Sequence, residues 1–525
     1  MLKHRHLTFR LTLALLAATI GTWFPHGLSM SALNVPQFIV QNWIRSVKCQ
    51  RFGGIFRDNY TMDHINNTTN GPDRALWCNA IPAEETARER NERDEVLNGN
   101  TELNTLWALF SSLLCVGALI GTMLTNPLIR WVGVKRSLMC GATVLAAGCV
   151  MCSFAPLAGA WELFLAGRIV IGLGTGVVTV VAPVYTAEIT PANLRGAAGT
   201  LPPIMFILGL IVTTAVGFPS ALGTEAGWPW LVSIVVIPVA ASCIALPFCP
   251  ESPRYLYIEN NDAQHAAKAL VWFRGTSKIQ EEMVEMHVEI DHMKGLRKVS
   301  VWALLSDPYL RKISALTAVP MLVHQFCGFH CVTFYSTSIF ESVGLRQVYA
   351  VYATMGVWCC YLASLFLSMF LVDRLGRRSL LLISQCGMVM ALILFVMFGC
   401  LTESGVVGTQ YGSAACLPFF IVCFALGSAS IPWILPGELF PQEAHSSAAS
   451  FIASISWASA ILTTFLFPIV EHAAKQYTFL IFAGLVILGT VHVAWKLPET
   501  KGKTIDEIQT SLHGERPISE HAPHE

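Results

Sequence analysis

GRIVIGLGTGVVTVVAPVYTAEITPANLRG, residues 167 to 196, places Arg168, three closely spaced glycines and Pro183 inside one apolar run and ends in a charged turn, Glu188, Pro191, Arg195 and Gly196. In a soluble helix each of these costs free energy. An unpaired arginine is expensive in apolar surroundings, a glycine lowers helix propensity by about 1 kcal/mol, and a proline removes an internal hydrogen bond. A membrane accounts for all three. Small residues let helices approach closely where lipid supplies no hydrophobic drive, neighbouring helices re-satisfy the broken backbone, and buried charges mark working positions. The charged turn is then the exit of the helix into water.

Composition agrees with that reading. Of 525 residues, 54% are hydrophobic and 13% charged, about half the usual charge of a soluble domain. This is an integral membrane protein whose solvent partner is the lipid bilayer. A formal net charge of zero and the lack of an aromatic-basic cluster speak against nucleic acid. Fourteen of the sixteen cysteines fall in or beside apolar segments, where a free thiol behaves as a small apolar group.

Lys3, Arg5 and Arg10 precede an apolar run from Leu11 to about Leu33, longer than a signal-peptide core and read as a first transmembrane helix with Thr22, His26, Ser29 and Ser31 as its inward polar candidates. Residues 34–103 are polar and are expected to form a long extracellular loop. They hold the glycosylation acceptors Asn59, Asn66 and Asn67 and the cysteines Cys49 and Cys78, which an oxidising exterior would favour pairing. Five further apolar runs, near 104–129, 137–157, 161–186, 197–218 and 228–248, complete an N-terminal six-helix bundle, 1–248. Residues 249–310 read as a cytoplasmic helical linker with Met283, Met286, Val288 and Ile290 among charges. Six more runs, near 311–340, 347–372, 379–401, 411–436, 446–470 and 477–497, form a C-terminal bundle, 311–497, followed by a tail, 498–525.

Twelve helices put both termini on one side. With the termini cytoplasmic, the short inner connections carry Arg130, Lys135, Arg136, Arg195, Arg374, Arg377 and Arg378, and the short outer ones only Arg346 and Lys475, as the excess of inner positive charge requires. The charged turn also recurs. Glu188, Pro191 and Arg195 match Glu438, Pro441 and His445; Pro250-Glu251 matches Pro498-Glu499; Gly133 before Lys135-Arg136 matches Gly376 before Arg377-Arg378. The elements repeat in order across an even number of helices, which makes the halves parallel repeats with a substrate site between them near the midplane.

These motifs resemble the sugar porter family of the major facilitator superfamily, and within it the animal facilitative glucose transporters. The resemblance rests on GR at Gly167, PVYTAEITPANLRG, PESPRYL at Pro250, DRLGRRS at Asp373, SIPWILPGELFP at Ser430, LPETKGKT at Leu497, NVPQ at Asn34, TLWALFSSLLCVGALIG at Thr105 and FYSTSIFE at Phe334. It implies an all-α fold of two six-helix bundles, no enzymatic activity and no cofactor. It also implies that Lys135, Arg136, Glu188, Arg195, Glu251, Arg377, Arg378, Glu438, His445 and Glu499 form a cytoplasmic latch. Two positions depart from the family pattern. RWVGVKRS at Arg130 replaces a paired-Arg signature, and His445 stands where the family has arginine, which predicts a looser, pH-sensitive second turn.

A hexose needs hydrogen-bonding side chains and an aromatic face. By resemblance Trp433 and Trp457 keep the family's tryptophans and Gln325 keeps one of two adjacent glutamines. His324 replaces the other glutamine, His330 an asparagine, Pro203 a fifth-helix glutamine and Tyr361 an eighth-helix asparagine; Ser456 and Ala460 also replace asparagines. The expected substrate set is therefore His324, Gln325, His330, Tyr361, Trp433, Ser456 and Trp457. On a continuous helix His324, Cys327 and Cys331 would share one face and could hold a soft metal, but these positions coincide with the substrate-contacting run, and no metal is assigned. Ser29 stands where proton-coupled relatives carry aspartate, and no Asp or Glu occupies the middle of a span, which favours passive uniport of a hexose or polyol at the plasma membrane. His26, His324 and His330 leave a proton-linked symporter as a lesser alternative. The altered amide lining admits a non-transporting sensor.

Overall fold

The computed structural model describes residues 8–51, 100–295 and 299–503, with Glu507. Among these every regular element is helical. Eleven segments are long and apolar enough to cross a membrane, and the last, Ser447–Lys496, contains two helices, His445–Ala474 and Thr478–Lys496, joined by a short turn. The described residues thus hold twelve spans, numbered here in chain order.

The first half is built on close approach. A Cβ at Gly172 or Gly176 on the fourth span (Trp161–Ile189) would lie 2.1 Å from the carbonyl oxygen of Leu114 or Ala118 on the second (Thr105–Val132). One at Gly174 would lie 2.4 Å from the backbone nitrogen of Leu145 on the third (Val134–Phe154). The glycines alternate between two neighbours, so no larger residue fits either contact. Arg168 is buried on the same helix, and its Nε donates to the Phe110 carbonyl at 2.8 Å. Its guanidinium lies 5.9 Å from the ring of Phe334 on the seventh span, in the other half. The charge is thereby held inside the protein rather than against lipid.

The halves meet along two seams, the second span on the eleventh and the fifth (Arg195–Val216) on the eighth (Gln347–Val372). At the expected outer end Asn34 joins them. Its Nδ2 donates to the Thr333 carbonyl at 3.2 Å and to Ser336 Oγ at 2.7 Å, and its Oδ1 accepts from the Thr337 amide at 3.1 Å. Ser338 Oγ donates to Gln37 Oε1 at 2.6 Å beside it. The seam at this end is closed in this structure.

Three features differ from the sequence reading. Residues 37–51, expected within a long polar loop, form a helix, Gln37–Arg51, that buries Val40, Ile44 and Val47. Arg51 pairs with Glu162 at the head of the fourth span, and Lys48 lies 5.6 Å from the Trp161 ring. Cys49 on this helix is buried and disulfide-bonded; Cys78, Asn59, Asn66 and Asn67 lie outside the described residues. Secondly, the seventh span is two helices, Pro308–Phe326 and Phe329–Ser342, separated at Gly328 with φ +95°. The break resets the rotation on which a shared face for His324, Cys327 and Cys331 depended, and among the described residues no three His, Cys, Asp or Glu side chains converge on a metal position. Thirdly, in the linker Met286 is buried with Leu270 and Ile279, but Val288 faces solvent; nothing is described of the Ile290 side chain.

Candidate functional site

The residues expected at the centre form one connected array. Gln325 Nε2 donates to Ser456 Oγ on the eleventh span. Its neighbour His324 lies 6.3 Å from Trp433, ring perpendicular to ring, and 5.1 Å from Phe424, both on the tenth span (Thr409–Leu439). Phe424 stacks on Phe329 at 4.5 Å, and Phe329 meets both His330 at 5.6 Å and Tyr361 at 5.8 Å. Trp457, next to Ser456, reaches across to His26 on the first span at 6.5 Å. His26 in turn stacks on Phe206 of the fifth span at 4.9 Å.

All of the expected substrate residues except Trp433 are buried. Trp433 is 48% exposed, so it stands at the rim of the array. Pro203 lies near the start of the helix Leu201–Val216 and Ala460 is buried without a polar atom to offer. Phe206, Phe329 and Phe424 were missed by sequence reasoning. An apolar aromatic in an apolar helix carries no mark that separates an inward face from packing, and only their stacking on His26 and His324 reveals it. His26 had been singled out as polar and inward but not assigned to the site.

Three buried polar atoms in this region, Gln325 Oε1, His26 Nδ1 and His330 Nδ1, have no hydrogen-bond partner among the described residues. Buried polar groups ordinarily have one. They come from both halves, and two of the three are on histidines.

At the end expected to be cytoplasmic the repeated turns fold alike. Gly133 and Gly376 adopt nearly the same left-handed backbone, φ +95° and +86°. Each precedes a helix whose first amides are capped by a glutamate from far along the chain. The Lys135 amide donates to Glu251 Oε1 at 2.7 Å; the Arg377 and Arg378 amides donate to the two oxygens of Glu499 at 2.8 and 3.1 Å. A carboxylate at a helix N-terminus satisfies unpaired donors and complements the helix dipole. The next residue completes each cluster, Ser252 donating to Glu188 and Thr500 Oγ1 to Glu438 Oε2. Lys135 Nζ donates to the Cys249 carbonyl at 2.7 Å, and Arg377 pairs with Glu438 at 3.0 Å. Burial pushes the Glu499 carboxyl up, but the backbone amides of Lys501, Arg377, Ser379 and Arg378 outweigh it and hold the group below its ordinary range.

These contacts run within each half. They join Lys135, Glu188 and Glu251 on one side and Arg377, Arg378, Glu438 and Glu499 on the other; Arg136 and Arg195 are exposed. His445, expected as the weak member of an ion pair, meets the Phe440 carbonyl through Nε2 at 2.7 Å. It closes the backbone of its own turn, and Glu438 is engaged by Arg377 and Thr500 instead.

Two six-helix bundles with charged turns repeated at one end and a polar-aromatic array between them define a membrane transporter of the major facilitator class. The family profile described as "Sugar (and other) transporter" matches residues 49–512, and the chain belongs to that family. It is 33% identical to the facilitated glucose transporter member 1 of solute carrier family 2 from Gallus gallus, over 77% of this chain and 82% of that protein. Member 3 from Canis lupus familiaris is 30% identical over 97% of this chain and 93% of its own length. In fold the chain is similar to the inward open conformation of the xylose transporter XylE from E. coli, with TM-score 0.69, 20% identity and coverage of 95% of this chain and 99% of that one. The same symporter bound to 6-bromo-6-deoxy-D-glucose matches with TM-score 0.69 at 19% identity, over 97% of this chain and 100% of that one.

Proposed function

We propose that this protein carries a hexose or a related sugar or polyol across the plasma membrane by alternating access, as a facilitative uniporter with both termini cytoplasmic. The observation that carries the reading is the set of unpartnered buried polar atoms, Gln325 Oε1, His26 Nδ1 and His330 Nδ1, set among stacked aromatic rings. A sugar hydroxyl both donates and accepts, and its ring offers an apolar C–H face, so such a ligand satisfies both kinds of surface. Trp433 and Trp457 supply aromatic faces, Tyr361 and Ser456 further polar contacts, and His324 lines the array with its Nδ1 held by the Ser428 carbonyl. Relatives named as facilitated glucose transporters support the substrate class.

A proton-linked mechanism is the second reading, favoured by the placement of both His26 and His330 within the array. Uptake of a panel of labelled sugars into liposomes holding the purified protein separates the readings. Saturable uptake indifferent to a pH gradient supports uniport; accumulation collapsed by a protonophore supports symport. Binding without flux of any sugar would make the protein a sensor and overturn transport. In the same account Asn59, Asn66 and Asn67 carry glycans outside the cell and Cys78 is the partner of Cys49. Peptide mapping without reduction should recover a Cys49–Cys78 crosslink, and a free thiol at Cys78 contradicts the pairing.

A further inference from the structure

The seventh and tenth spans are both broken near the middle. The tenth consists of Thr409–Leu426 and Ile431–Leu439, with Gly427 to Ser430 between them. A break leaves backbone groups without intrahelical partners, and in a membrane the protein must supply them. At the tenth-span break the partners come from three other spans, and from the eighth Ser368 Oγ donates to the Leu426 carbonyl at 2.8 Å. His324 Nδ1 lies 2.6 Å from the Ser428 carbonyl oxygen. A carbonyl only accepts, so Nδ1 carries the proton and donates. The Ser428 amide donates to Ser384 Oγ on the ninth span at 3.0 Å, and the two hydroxyls lie 2.9 Å apart.

His324 is also tied to the seventh-span break. It lies in the last turn of the helix Pro308–Phe326, and Cys327 Sγ donates to its carbonyl at 3.1 Å. Its ring lies 6.2 Å from Phe329, the first residue of the following helix, and 5.1 Å from Phe424, which precedes the tenth-span break. One buried side chain therefore spans from break to break.

We propose that His324 is a positioning residue that couples the two hinges, so that the seventh and tenth spans bend together during the transport cycle. On the transport reading given above, it sets turnover rather than substrate affinity. An imidazole is rigid and donates from a fixed place close to its own backbone. Asparagine puts its amide nitrogen near the Nδ1 position, whereas glutamine puts its own near Nε2.

The test compares His324→Ala, His324→Asn and His324→Gln in the full-length protein in liposomes. Hydrogen exchange of the amides from 426 to 431 needs no ligand. It should speed up about tenfold in the alanine and glutamine variants and return close to the parent rate in the asparagine variant. Labelled D-glucose serves as the uptake probe. The alanine variant should lose about tenfold in maximal rate per transporter with KM within about twofold, again restored by asparagine. Unchanged exchange in the alanine variant, equal behaviour of asparagine and glutamine, or a raised KM at constant maximal rate overturns the proposal. If the parent protein moves no sugar, the transport reading falls, and the exchange rates still decide whether His324 holds the tenth-span break.

Discussion

Arg168 shows how one residue carries both structure and the link between halves. Its Nε–H holds the Phe110 carbonyl and its guanidinium lies over the Phe334 ring. Lysine keeps the charge but has neither the fixed fork nor the flat face. Arg168→Lys should lower stability by about 1–3 kcal/mol, since a buried charge-assisted hydrogen bond is lost, and a lowered thermal midpoint in detergent checks it; an unchanged midpoint contradicts it. Glu499 makes a different kind of prediction. Its carboxyl is held below its ordinary value of 4.5, so its stabilisation is complete above about that pH and is lost as pH falls through the lowered folded-state value. Glu499→Gln should cost about 1 kcal/mol at neutral pH and flatten the loss of stability as pH falls below the ordinary carboxyl value of 4.5. Melting curves across that range read the difference, and a parallel acid limb in parent and variant contradicts it.

At the scale of elements, the glycines divide by what they touch. Adding a methyl at Gly176 drives it into the Ala118 carbonyl 2.1 Å away, whereas Gly356 and Gly484 have nothing within 4 Å. Gly176→Ala should destabilise by about 1–3 kcal/mol through overpacking. Gly484→Ala, mid-helix in the twelfth span, should stabilise by up to about 1 kcal/mol. Thermal midpoints moving in opposite directions bear this out, and equal midpoints contradict it. The spans themselves were legible because an apolar run of spanning length is the strongest signal a sequence carries, and the paired glutamates were legible because the repeat printed them twice. The helix Gln37–Arg51 was not, although Val40, Ile44 and Val47 follow helical spacing. Gln41, Arg45 and Lys48 made its composition read as a loop, and burial against the bundle decided otherwise. The breaks at Gly328 and Gly427 escaped for another reason. An apolar run continues through them, and only the left-handed backbone at Gly328 and the side-chain contacts to Ser428 expose the change of direction. With the break at Gly328 went the angular argument for a metal site.

For the whole molecule, the closed outer seam is the feature that bears on alternating access. Asn34 alone contributes three hydrogen bonds between halves. Asn34→Ala should shift the balance toward an outward-open state by about tenfold, the effect of roughly 1.4 kcal/mol. Reaction of buried Cys331 with a membrane-impermeant thiol reagent added outside, quantified by mass spectrometry, should accelerate accordingly; an unchanged rate contradicts it. The central claim is that two bundles rock around one sugar site. The most direct test is counterflow: liposomes holding the purified protein are preloaded with unlabelled sugar, and a trace of the same labelled sugar is added outside. A carrier that alternates access produces a transient accumulation of label above its equilibrium level, reduced in the His324→Ala variant. Label that rises only to equilibrium at a rate indifferent to the preload, or that does not enter at all, contradicts the account.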